Sequence, residues 1–87
     1  DPAHQLQLMQ LLAAKADEGM TVVVVLHDLA LAARYCRRIV LLAGGRKVAD
    51  GSPGEVLNPE QLSRTYGIRA YVGETEGLPV ILPLDRI

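Results

Sequence analysis

Between Thr21 and Leu26 the chain reads Thr-Val-Val-Val-Val-Leu, with no polar alternation, and the run stops abruptly at His27-Asp28. A continuous β-prone run of this kind predicts a strand buried on both faces, as at the centre of a parallel α/β sheet. A strand so placed delivers the next residue to the carboxyl edge of the sheet, where open α/β sheets hold their ligands. His27 is therefore the first candidate for chemistry.

Around that run the pattern changes period. Leu6, Met9, Leu12, Ala13 and Ala16 recur at helical spacing and predict a helix from Ala3 to Asp17. Asp1 suits its N-cap, Pro2 its first turn and Gly19 its C-cap. Gln7, Gln10, Asp17 and Glu18 mark its wet side. After His27, Asp28 is expected to cap a short helix, Leu29 to Cys36, with Leu29, Ala32 and Ala33 facing inward. Ile39 to Ala43 reads as a second strand. Gly44-Gly45 is a hairpin signal, and Arg46 to Ala49 returns antiparallel with Lys47 as an edge charge. Ser52-Pro53 and Asn58-Pro59 are two helix starts, the second helix running through Tyr66 to Gly67. Ile68 to Val72 and Leu78 to Leu84 read as strands around a turn at Gly73 to Gly77, with Pro79 and Pro83 confining the last strand to an edge. The expected division is 1–58, a sheet layer with helices, and 59–87, a helix with a β-hairpin appendage.

Length sharpens the meaning of the buried strand. Eighty-seven residues make at most one small domain. A strand covered on both faces needs parallel neighbours and two helical layers, and only Ile39 to Ala43 offers such a neighbour. The chain also opens at Asp1-Pro2 without an initiator Met. Both features lead us to expect a piece of a larger α/β sheet, an incomplete domain.

Composition excludes several classes. The net charge of −1 carries no overall bias toward nucleic acid or membrane. Cys36 is the only cysteine, so neither an internal disulfide nor a thiolate metal cluster is available, and a reducing, cytoplasmic setting is expected. Cys36 itself reads as a small buried hydrophobe. His4 reads as solvated, and no second ligand falls at metal-binding spacing around either histidine, so no metal site is expected. Arg34, Arg37, Arg38, Arg46 and Lys47 cluster, but without the interleaved aromatics that stack on bases. They read as a solvated edge rather than a nucleic-acid surface. Neither G-x-x-x-x-G-K-[ST] nor G-x-G-x-x-G occurs, so the chain has no phosphate-binding loop of its own. Read on these terms alone, the chain also fits a small standalone α/β interaction module without catalysis.

A resemblance favours the piece of a larger sheet. Val22-Val23-Val24-Val25-Leu26-His27-Asp28-Leu29 resembles the switch-histidine segment of ABC transporter ATPases. Ala32 to Leu42 resembles the helix and strand that follow it. Gly44-Gly45-Arg46 and Gly51-Ser52-Pro53-Gly54-Glu55-Val56-Leu57 resemble the next hairpin and turn. Asp1-Pro2 is similar to the end of the D-loop. Tyr66-Gly67-Ile68 and Pro79-Val80-Ile81-Leu82-Pro83 are similar to the tail of ATPases that serve iron–siderophore, haem and cobalamin importers.

The resemblance implies the C-terminal part of a P-loop NTPase sheet, flanked by helices and carrying a small β tail. It implies an ATPase subunit of a bacterial importer that uses ATP and Mg2+, works as a homodimer, docks on transmembrane permease subunits and lies on the inner face of the cell membrane. His27 would contact the ATP γ-phosphate, and Asp1 would belong to the D-loop at the dimer interface. The phosphate loop, the glutamine loop, the signature motif and the general-base Glu all lie outside these residues. The chain alone is therefore expected to be inactive.

Overall fold

The computed structural model describes residues 1–87. In chain order it contains α1 (Pro2–Asp17), α2 (Leu29–Tyr35), β1 (Ile39–Ala43), β2 (Arg46–Gly51), α3 (Pro53–Val56), α4 (Pro59–Tyr66), β3 (Ile68–Thr75) and β4 (Leu78–Arg86). The class is α/β, but the strands form two separate antiparallel pairs, β1 with β2 and β3 with β4. No parallel sheet forms within this chain.

The largest departure concerns the valine run. Thr21 to Leu26 is not a strand. Residues 21–27 make no backbone hydrogen bond, and the run joins neither of the two strand pairs. Nor is the run buried on both faces. Val22, Val24 and Leu26 are half-buried, whereas Val23 and Val25 stand 89% and 85% exposed. The alternation belongs to a chain covered on one side only.

Helix termini follow the local chemistry closely. Asp1 caps α1 by accepting from the His4 N–H at 3.1 Å. Ser52 and Glu55 form a reciprocal capping box at α3: Glu55 Oε1 accepts from the Ser52 N–H at 3.0 Å, and Ser52 Oγ accepts from the Glu55 N–H at 3.4 Å. Asn58 caps α4 by accepting from the Gln61 N–H at 2.8 Å, and Gly67 ends that helix in the left-handed region. Two ends and one face differ from expectation. Glu18 rather than Gly19 is the C-cap of α1, its N–H reaching back to the last carbonyls, and Gly19 takes the positive φ one residue later. Cys36 is the C-cap of α2 and not its last helical residue: its N–H bonds to the Ala32 carbonyl, its own backbone is extended, and it is half-buried. Leu6 lies on the open side of α1, which buries only Met9.

The first hairpin turns at Gly44-Gly45, both at positive φ, as its two-residue loop requires. A bulge at Val48 shifts the β1–β2 register between Leu41 and Leu42. The second hairpin is longer than its sequence suggests. Pairing continues to Thr75↔Leu78, so the loop is Glu76-Gly77 alone and Gly73 lies within β3 opposite Val80.

Ile39, Leu41, Val56, Leu57 and Leu62 make the core, with Leu29, Ala32, Ala33, Ile68, Ala70, Val72 and Ile81 packed around it. Only six of the 87 residues are buried, none of them polar, while Leu8, Leu11, Met20, Val40 and Leu42 are exposed. So small a core leaves much apolar surface uncovered on α1, on the valine run and on the outer face of β1.

Candidate functional site

The site begins at the end of the valine run. His27 occupies a bend, exposed, with no hydrogen bond or ion pair. Immediately after it the backbone becomes fixed. Asp28, extended at φ −85° and ψ 106°, accepts from the Leu31 N–H on its carboxylate at 3.1 Å. Its carbonyl accepts from the Ala32 N–H, also at 3.1 Å. The helix that starts there is anchored through Leu29, Ala32 and Ala33 on the core. His27 therefore projects from the junction between an untethered segment and a seated helix, not from the carboxyl edge of a sheet.

Asp1 sits elsewhere in the architecture, as the N-cap of α1. Its second carboxylate oxygen lies 3.1 Å from His4 Nδ1, so His4 is exposed but not isolated. No hydrogen bond or ion pair joins Asp1 to His27. Between α1, the run and the start of β1 lies a groove of about 780 Å³, with Met9, Leu12 and Ala13 on one side and Val22, Val24 and Val40 among its other walls. Tyr35 also lines it, and the Tyr35 hydroxyl is buried without a partner, a feature that no motif in the sequence marks.

The basic cluster is largely spent on acids. Arg38 grips Asp50 through two bonds, Nε to Oδ1 at 2.8 Å and Nη2 to Oδ2 at 2.7 Å, and Lys47 lies 3.5 Å from the same carboxylate. The Arg38 guanidinium holds Asp50 down to about 2, with Lys47 adding to the effect. Arg37 reaches across to Asp17 of α1. Arg34 lies over the Tyr35 ring, 4.9 Å from its centre. Burial pushes the Cys36 thiol up, away from the reactive thiolate form.

The His27 ring is free to donate to an anionic oxygen. No group of three or more His, Cys, Asp or Glu side chains is gathered among these residues.

Comparison with known proteins places this segment. No family model matches the chain. The hemin import ATP-binding protein HmuV of Pseudomonas fluorescens is 48% identical over 84 residues, 94% of this chain and 33% of that protein. The chain matches part of an ABC transporter ATP-binding protein. HmuV of Rhodococcus jostii is likewise 48% identical, over 95% of this chain and 29% of its own length, and HmuV of Bordetella pertussis is 46% identical over 91% and 30%. The chain thus spans about a third of the length of the curated relatives it matches. A likeness extending over nine-tenths of the chain takes in the His27 bend, both hairpins and the helices between them.

Proposed function

We propose that this segment belongs to the ATP-hydrolysing subunit of a bacterial ABC importer, with cargo of the haem class, and that His27 is its γ-phosphate contact. The observation that carries the reading is the 48% identity to hemin import ATP-binding proteins across 94% of the chain. The exposed, unpaired imidazole at the end of the valine run supports it. Iron–siderophore and cobalamin complexes are the neighbouring cargo classes.

ATP supplies the phosphoryl group and the free energy. The part played by this chain is positioning: the His27 ring donates a hydrogen bond to the terminal phosphate oxygens and holds them in place as charge develops. Asp1 would stand at the contact with a second, identical ATPase subunit, and the pair would dock on permease subunits at the inner face of the membrane. Residues 1–58 would complete a P-loop NTPase sheet, with 59–87 as an appendage. The open faces of Val23 and Val25 support that reading, since they are surfaces a larger sheet would cover. With one nucleotide contact and no phosphate loop, residues 1–87 alone would not turn over ATP.

The test is His27→Ala in the intact ATPase subunit. Hydrolysis should fall by about a hundredfold or more, the loss typical of one transition-state donor, while ATP binding stays largely in place. Wild-type turnover in that variant would remove the assignment.

A further inference from the structure

The β3–β4 hairpin and α2 meet on one core. Val56, Leu57 and Leu62 are its deepest residues, at most 2% exposed. Leu29, Ala32 and Ala33 bring α2 onto that core, and Val72 and Ile81, directly paired across the two strands, bring the inward face of the hairpin onto it. Among the elements that touch α2, β4 makes the largest contact. Residues as deep as Leu62 have no open side left. A larger sheet can extend this core from elsewhere but cannot take the hairpin's place in it, so the seat of α2 is closed within this chain.

The helix so seated is the one that leads away from His27. Only Asp28, its N-cap, stands between His27 and Leu29. On the reading given above, the sheet of the intact subunit would hold the run on one side of His27. The other side is held by α2, and α2 is held by the hairpin. From this packing we infer that the β3–β4 hairpin is a positioning element for His27, acting through α2, with Val72 and Ile81 as its seating residues. The inference rests on the reading of His27 as the γ-phosphate contact, and it gives the hairpin more to do than an appendage would. Neither side chain needs to approach the nucleotide. Trimming either one opens a cavity on the core side of the hairpin. As α2 settles into it, the backbone two residues upstream moves too, and a misplacement of about 1 Å at a reacting group costs up to about a hundredfold in rate.

The experiment is ATP hydrolysis, in the steady state and in a single turnover, by the intact subunit assembled with its permease. Ile81→Ala, Ile81→Val and Val72→Ala are compared, each alone and combined with His27→Ala. Ile81→Ala should lower kcat by about fivefold or more, with KM for ATP within about twofold, because only the placement of the ring is lost. Val72→Ala should act in the same direction, and as the smaller truncation it carries the test if Ile81→Ala does not fold. Ile81→Val keeps the branched shape and most of the volume, so it should stay within about twofold of wild type. In the His27→Ala background none of the three should slow hydrolysis further, since the ring they place is gone. A purely structural role would instead lower the active fraction equally in both backgrounds. The inference is overturned if the folded variants keep wild-type kcat, if they raise KM in place of lowering kcat, or if they slow the His27→Ala enzyme by the same factor as the wild type. Beside an impaired His27→Ala, each of those results sinks this inference alone. An unaffected His27→Ala sinks the functional reading with it.

Discussion

The Tyr71 ring lies over the backbone of Gly73, its neighbour two residues along the same face of β3. A Cβ built on Gly73 would collide with the Tyr71 hydroxyl and stand only 2.7 Å from its Cζ. The glycine is thus a seat for the ring, and the ring covers backbone that a side chain would otherwise cover. Gly73→Ala should force Tyr71 out of this position at a cost of about 1 kcal/mol, the scale of modest overpacking. In a Tyr71→Ala background the same change should be neutral or stabilising by about 0.5 kcal/mol, as an alanine relieves the entropy cost of strand glycine. Urea unfolding of the four chains of this cycle measures the difference. Equal costs in both backgrounds would show that the ring does not depend on the glycine.

Acid should weaken the first hairpin through one carboxylate. Asp50 titrates at about 2 in the folded chain because Arg38 holds it as the anion, against about 3.9 for a free Asp. Between those values the unfolded chain binds more protons than the folded one, so lowering the pH favours unfolding. The contribution is complete above the unfolded value and is lost as pH falls through the folded one. Asp85, held low by Arg69, and Glu55, held low by the Ser52 cap, act with the same sign. Urea midpoints measured from neutral to strongly acid pH should therefore decline, and Asp50→Asn should decline less steeply. Because these pairs are exposed, added salt should shrink the difference. Parallel profiles for both chains would rule out this role for Asp50.

The second hairpin contains a correctable strain. Glu76 is the one non-glycine residue with positive φ, at 52°, in the two-residue loop it forms with Gly77. An L side chain there costs about 1–2 kcal/mol, and asparagine tolerates the position better. Glu76→Asn should stabilise the chain by about 1 kcal/mol, raising the thermal midpoint by about 4–8 °C for a domain of this size. A β-branched Glu76→Val should lower it. Circular dichroism melts of both variants would decide, and an unchanged midpoint for each would mean that the loop strain is not felt globally.

Legibility in the sequence followed the range of the interaction. Asp1, Ser52, Asn58 and Gly67 announce helix ends because a cap needs only its own residue and the next three or four. Gly44-Gly45 announces its hairpin for the same reason. The valine run is β-prone by every local measure, yet a strand exists only beside another strand, and no local rule supplies one. Gly73 looked like part of a turn because its partner, the Tyr71 ring, is visible only once β3 is built. At the candidate site, the identity of His27 and the capping role of Asp28 were readable from the residues. The absence of backbone hydrogen bonds over residues 21–27 was not, since pairing depends on a neighbouring strand that no local pattern supplies.

One consequence of the open valine run concerns the handling of the molecule in solution. Six successive residues of high β propensity, without charge or proline, have the composition that stacks into cross-β fibrils. Such segments are kept apart by charged gatekeepers at their flanks. Here those are Asp17 and Glu18 on one side and Asp28 on the other. All three are acids, so replacing them by neutral residues would leave both flanks of the run unguarded and open it to stacking.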